Sequence, residues 1–181
     1  MPEFQRGLLA EIGKLKVGDP SDQDTDVGPM ITAEDARRIE SWVEEALRGG
    51  AKLLIGGKRE ESCFWPTALT NVTAEMKVTK AEVFAPLVCL SPYQSFEQAL
   101  SWVNDSVYGL QVGIFTNEID KAFQAVKKVN VGGVMINDAS SFRADHMPYG
   151  GVKQSGSGRE GVRFAIEEMT AIKMISFNLK K

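Results

Sequence analysis

The stretch MPYGGVKQSGSGREG, from Met147 to Gly161, packs five glycines into fifteen residues. Glycine at that density excludes an ordinary helix or strand. It stands where the backbone turns sharply or comes close to something else. A strand-like run, Val134-Met135-Ile136, ends at Asn137 and feeds the loop Asp138 to His146 that leads into this stretch. Arg159-Glu160 then opens a helix-like run. A long loop between a strand and a helix is where an α/β protein usually places its chemistry.

Outward from the loop, strand and helix patterns alternate. Upstream, Gln111 to Thr116 and Gly133 to Asn137 read as strands. Between them Asn117 is expected to cap a helix through Lys128, acidic early and basic late, as the helix dipole prefers. Ser95 and Gln98 cap a helix carrying Phe96, Leu100 and Val103. Lys52 to Ile55, Pro66 to Val72 and Leu87 to Tyr93 are three further strands. Thr32 with Asp35 reads as a capping box before a helix burying Ala36, Ile39, Val43 and Leu47 and closed by Gly49-Gly50. A first helix spans Pro2 to about Leu15. Downstream, Val162, Ala165, Ile166 and Met169 make a helix, and Ile172 to Phe177 is read as a last strand. This alternation predicts an α/β protein: an open, mostly parallel twisted sheet with flanking helices. No internal repeat and no long linker divides the 181 residues, so residues 1–181 read as a single region.

Composition narrows the function classes. A net charge of −3 with acids and bases intermixed makes no electrostatic case for nucleic acid or an anionic membrane. No run of 18 apolar residues suits a membrane span. Two cysteines, Cys63 and Cys89, lie in apolar runs and suggest a reducing compartment, so a cytoplasmic location is expected. A single histidine, His146, removes most histidine-based metal sites and triads, and no metal site is expected.

Gly156-Ser157-Gly158-Arg159-Glu160-Gly161 fits G-x-G-x-x-G. The dinucleotide fingerprint needs a strand immediately before it and an acid about 20 residues after it. The strand here ends near Asn137, and no acid lies at the required distance. The six residues therefore read as a turn and a helix start.

The loop and eight other segments, in order, resemble the C-terminal part of the catalytic domain of the NAD(P)-dependent aldehyde dehydrogenases. They are LKVGDP (Leu15–Pro20), VGPMI (Val27–Ile31), GAKLLIGG (Gly50–Gly57), Pro66-Thr67, AEVFAP (Ala81–Pro86), YGL (Tyr108–Leu110), IFT (Ile114–Thr116) and GGVMIN (Gly132–Asn137). PYGGVKQSGSGRE (Pro148–Glu160) completes the series. The resemblance implies that Glu82 accepts hydrogen bonds from the nicotinamide ribose, a task suited to a carboxylate facing two hydroxyls. It implies that Phe84 packs near the nicotinamide, that Asn137 braces the substrate pocket, and that Tyr149 lies beside the substrate channel. The bland readings are a solvated charge for Glu82 and ordinary core for Phe84. Ala81 and Ala85 replace a glutamate and a glycine of the family pattern, and the added methyl of Ala85 bears on where Phe84 is placed. Arg143 is a candidate substrate-pocket residue able to hold a carboxylate or phosphate in a bidentate pair, against a loop-bracing or surface role. The run FRADHMPYGGVK is similar to the branch acting on small functionalised aldehydes such as semialdehydes or lactaldehyde.

The family's chemistry uses a cysteine thiolate in a G-Q-x-C segment and a glutamate in E-L-G-G-K. Neither segment occurs in these 181 residues. Cys63 follows Glu60, Glu61 and Ser62, where negative charge suppresses a thiolate. Cys89 sits in a strand pattern, the setting of an inert thiol. His146 beside Asp145 is only a pair of chain neighbours. No catalytic residue is assigned to this chain. The resemblance implies a fragment of an enzyme that oxidises a small aldehyde with NAD or NADP, inactive alone and binding no cofactor tightly alone. The alternative is a non-catalytic oligomerisation or interaction fragment. Either way an open sheet edge or apolar face is expected to drive homo-oligomerisation, helped by the strand near 171–178.

Overall fold

Thr32 opens the longest helix as its sequence predicts. In the computed structural model, which describes residues 2–179, the Thr32 hydroxyl accepts a hydrogen bond from the Asp35 amide at 3.0 Å and donates to the Asp35 carboxylate at 2.7 Å. A first helix, α1 (Pro2–Ile12), precedes it, and the capped helix α2 runs Ala33–Arg48. It buries Ala36, Ile39, Val43 and Ala46. Ala46 takes the place expected of Leu47, which sits at the rim. Gly49-Gly50 closes the helix as expected, the Gly49 amide donating to the Glu45 carbonyl at 2.9 Å and the Gly50 amide to the Leu47 carbonyl at 3.1 Å.

Packing within the chain groups into two compact units that divide between Pro92 and Tyr93. In the first, β1 (Lys52–Ile55), β4 (Thr67–Thr70) and β5 (Leu87–Leu90) form one sheet in the order β1-β4-β5. The β1–β4 pair is antiparallel and the β4–β5 pair parallel. Between β1 and β4 the chain reverses through β2 (Arg59–Glu60) and β3 (Cys63–Phe64), an antiparallel pair. That reversal returns β4 antiparallel to β1. Phe64, Ile39 and Leu69 are fully buried between α2 and this sheet, with Val78 from the short helix α3 (Lys77–Lys80). The paired glycines of GAKLLIGG and the Pro-Thr dipeptide have one shared cause. Gly56, at φ 81, lies so close to Pro66 and Thr67 that a Cβ would collide with their backbone. The buried Thr67 hydroxyl completes the join, accepting from the Gly57 amide at 2.8 Å and donating to the Trp65 carbonyl at 2.6 Å.

In the second unit, β7 (Gln111–Ile114) and β8 (Gly133–Ile136) pair in parallel. Helices α4 (Phe96–Asp105) and α5 (Ile119–Lys128) accompany them. Leu100, Ala125 and Val129 form the centre, with Val112, Ile114 and Val134 against it. Ser95 caps α4, accepting from Gln98 at 3.2 Å. Asn104 ties the ends of α4 and α5: it donates to the Lys128 carbonyl and accepts from the Asn130 amide, both at 2.7 Å.

The α/β class stands, but the strands pair in mixed senses rather than mostly in parallel. Asn117 does not cap α5. Glu118 holds the N-cap position, and the Thr116 hydroxyl accepts from the Glu118 amide at 3.1 Å. Helix α6 (Val162–Met169) follows the glycine loop. The strand read at Ile172 to Phe177 is not paired with any strand among the described residues. A strand needs a neighbour's amides and carbonyls, and this segment instead runs as exposed coil, with Ile172 and Phe177 103% and 82% exposed. Among the described residues no helix is long and apolar enough to cross a membrane.

Candidate functional site

In the first unit the segment Ala81 to Pro86 alternates. Val83 and Ala85 pack onto the core cluster, while Glu82 and Phe84 face outward. The Ala85 methyl is thus absorbed by the core. Its direct consequence is register: with Val83 and Ala85 anchored, the intervening residue must point away. Phe84 is 69% exposed and takes no part in the core formed by the described residues. Its φ is 46°, in the left-handed region that costs a β-carbon residue about 1–2 kcal/mol. The C-terminal end of the turn is pinned. The Leu87 amide donates to the Ala85 carbonyl at 2.7 Å, and the Thr67 amide to the Pro86 carbonyl at 2.8 Å. From α2, the Arg38 guanidinium donates to the Val83 carbonyl at 3.3 Å. Glu82 is exposed and accepts no hydrogen bond from the described residues.

In the second unit Asn137 lies at the end of β8 with φ 59°. Its amide donates to the Ile114 carbonyl and its side-chain oxygen accepts from the Thr116 amide, both at 2.8 Å. One residue therefore locks the ends of the two parallel strands. Arg143 stacks on Tyr149, its guanidinium 4.2 Å from the ring centroid, and pairs with Glu160 at 2.8 Å. Tyr149 and Glu160 are themselves an antiparallel bridge, with amide-to-carbonyl bonds of 3.1 and 2.6 Å. Arg143 thus touches both members of the Tyr149–Glu160 bridge that joins the two ends of the glycine loop. Arg143 also lines an open depression with Arg159, Glu168 and Met169.

Close contacts account for Gly150, Gly151 and Gly161 of the loop, while Gly156, in open space, stands at φ 106. Gly132 and Gly150 approach so closely that a Cβ on Gly132 would overlap the Gly150 carbonyl. This lets β9 (Val152–Lys153) pair antiparallel with β6 (Tyr108–Gly109). Ser155 accepts from the Gly109 amide at 2.9 Å, and Lys153 donates to the Asn104 and Ser106 carbonyls, each at 2.9 Å, at the end of α4. Gly161 occupies the N-cap of α6, so the G-x-G-x-x-G stretch is a turn and helix start.

Cys89 donates weakly to the Val78 carbonyl at 3.6 Å. Burial pushes its thiol above the ordinary 9.0, with a hydrogen bond involving Thr79 pulling the other way, so it is a poor thiolate. No ion pair joins His146 to Asp145 among the described residues, and no metal-ligating cluster is present among them. Sequence reasoning passed over Arg38, Lys153 and Glu160. Arg38 was legible as a member of a helical triad: Asp35, three residues earlier, and Trp42, four later, share its face.

A family model described as "Aldehyde dehydrogenase family" matches residues 1–175. A 3-sulfolactaldehyde dehydrogenase of Priestia aryabhattai is 51% identical over 97% of this chain and 37% of its own length. Aldehyde dehydrogenase 21 from Physcomitrella patens, solved with the reaction product succinate, superposes with TM-score 0.91 at 45% identity, over 93% of this chain and 35% of that one. Glyceraldehyde-3-phosphate dehydrogenase GapN from Methanocaldococcus jannaschii, solved with NADP, gives TM-score 0.91 at 44% identity, over 95% and 37%. The chain thus spans 37% of the length of the first curated relative it matches.

Proposed function

The chain belongs to the aldehyde dehydrogenase family, and from that premise we propose that it is the C-terminal part of the catalytic domain of an enzyme oxidising a small aldehyde to the acid with NAD or NADP. The observation that carries the reading is the Ala81–Pro86 segment. Anchored through Val83 and Ala85, it offers an open carboxylate and an exposed ring side by side on a rigid turn. Those two groups fit a nicotinamide riboside: Glu82 has acceptor capacity for two hydroxyl donors, and Phe84 has a free face for a planar ring. When bound, the nicotinamide group supplies the hydride acceptor. Glu82 and Phe84 orient it. Asn137 and the Arg143–Tyr149–Glu160 clamp hold the loops that border the aldehyde.

The covalent chemistry in this reading is attack of a cysteine thiolate on the aldehyde to give a thiohemiacetal, which would become a thioester on losing its hydride to the oxidised nicotinamide; water, with a glutamate as general base, would then hydrolyse the thioester to the acid and free the thiolate. These 181 residues contain neither G-Q-x-C nor E-L-G-G-K, and neither Cys63 nor Cys89 is assigned the role. The chain alone is therefore proposed to be inactive, and the nucleophile to come from a segment outside it. A small functionalised aldehyde is the proposed substrate class, in a cytoplasmic homo-oligomer. The 3-sulfolactaldehyde dehydrogenase relative supports that class. With Arg143 engaged by Glu160 and Tyr149, its proposed part in substrate binding is to set loop shape.

The test is Glu82→Gln in the full-length protein carrying this segment. Loss of a charged hydrogen-bond acceptor raises the KM for NAD(P) about tenfold, with the aldehyde KM little changed. An unchanged cofactor KM removes Glu82 from the site. Turnover of aldehyde by the 181-residue chain alone would overturn the account of a nucleophile supplied from elsewhere.

A further inference from the structure

We infer that Arg38 is a positioning residue for the cofactor contacts of Glu82 and Phe84, an assignment that rests on the function proposed above. The carbonyl it binds, at 3.3 Å, belongs to the Val83–Phe84 peptide. Rotation of that peptide plane sets the φ of Phe84, which stands at 46°. A donor fixed on this oxygen holds the plane in an orientation that a side chain with a β-carbon rarely adopts. It thereby fixes the chain direction from Val83 into Phe84, and through Val83 the position of Glu82 before it.

The guanidinium is itself held by two further contacts. It lies over the Trp42 ring at 4.7 Å from the centroid, and Trp42 packs on the same core cluster as Val83 and Ala85. Its Nη2 lies 3.6 Å from the Asp35 carboxylate, which in turn accepts from the Thr32 hydroxyl at 2.7 Å. The chain of contacts runs from the N-cap of α2 through Asp35 and Arg38 to the Val83 carbonyl. The stack and the ion pair leave the guanidinium little freedom, so the hydrogen bond costs little side-chain entropy to keep. The core anchors of Val83 and Ala85 decide which residues face outward. Arg38 decides the angle at which they do so.

The experiment compares Arg38→Met, Arg38→Lys and Glu82→Gln in the full-length protein. Three readouts are taken: NAD(P)H affinity by cofactor fluorescence, KM against kcat, and amide hydrogen exchange over residues 82–87. Arg38→Met keeps an unbranched stem over Trp42 and removes the donor. It is expected to weaken NAD(P)H binding roughly fivefold, to raise the cofactor KM without a matching change in aldehyde KM, and to speed exchange in the turn. Arg38→Lys keeps one donor and falls between the two, and it carries the test by itself if Arg38→Met does not fold. If Glu82→Gln weakens the cofactor while both Arg38 variants bind it as the parent does, the positioning role is wrong and the proposed function survives. If none of the three moves cofactor affinity, both are wrong.

Discussion

Asn137 meets two demands at one position: a φ of 59° and an acceptor for the Thr116 amide at 2.8 Å. Asparagine tolerates the left-handed region and carries a side-chain oxygen, so each demand has its own substitution. Asn137→Gly keeps the backbone and loses the acceptor. Asn137→Asp keeps the acceptor and most of the backbone tolerance. Asn137→Ala fails both and is expected to cost about 2–3 kcal/mol, with Gly near half of that and Asp the least. Urea denaturation of the three variants gives the order; a variant series with Ala no worse than Gly would mean the φ carries no strain. Cys89 makes a pH statement. Its thiol is raised above 9.0 by burial, so the unfolded chain ionises first as pH climbs. The thiol therefore contributes stability in full below pH 9, and that contribution is lost as pH rises through the higher folded value. Cys89→Val removes the alkaline loss. Denaturation midpoints of the two proteins between pH 7 and 10.5 are expected to converge at neutral pH and separate above 9.

The glycine loop acts on the second unit as an element through Lys153. Its ammonium donates to the Asn104 and Ser106 carbonyls, each at 2.9 Å, where α4 ends and its orphan carbonyls gather. Lys153→Met leaves those carbonyls to water and is expected to cost about 1–2 kcal/mol. It should also speed amide exchange at Gly109 and Val152, whose pairing shares the same hinge; exchange unchanged there would confine Lys153 to a surface role. The elements themselves were largely legible. Ser95 and Thr32 stand at N-caps because their hydroxyls reach an amide three residues on, a rule contained within four residues. Asn117 misled because Thr116 satisfied the neighbouring amide first. What sequence could not supply was contact at a distance. Gly132 against Gly150 and Gly56 against Pro66 are invisible as pairs, although each glycine signals that something comes close. The site divides the same way. The Glu82/Phe84 alternation can be read from Val83 and Ala85 as apolar neighbours. The engagement of Arg143 by Tyr149 and Glu160 depends on a bridge between residues 149 and 160 that no local pattern announces.

At the scale of the molecule the segment after α6 is the unresolved account of apolar surface. Ile172, Met174, Ile175, Phe177 and Leu179 are all two-thirds or more exposed. Full burial of a side chain of this size is worth about 1.5–3 kcal/mol, so leaving all five in water is a standing drive to cover them. The segment has β-branched and aromatic residues, an irregular backbone and no partner strand among the described residues. Pairing by its backbone with a strand of a second copy is the covering we propose, since main-chain bonds and apolar burial are then satisfied together. A remainder of the same full-length chain is the competing cover. The double variant Ile175→Lys/Phe177→Lys separates them. If a second copy covers the segment, sedimentation equilibrium of the full-length protein shows the variant shifted toward monomer while its thermal midpoint at low concentration stays near that of the dissociated parent. If the same chain covers it, mass is unchanged and the midpoint falls. A parent that sediments as a monomer at tens of micromolar excludes the intersubunit strand outright, because burial on that scale holds a dimer together well below that concentration.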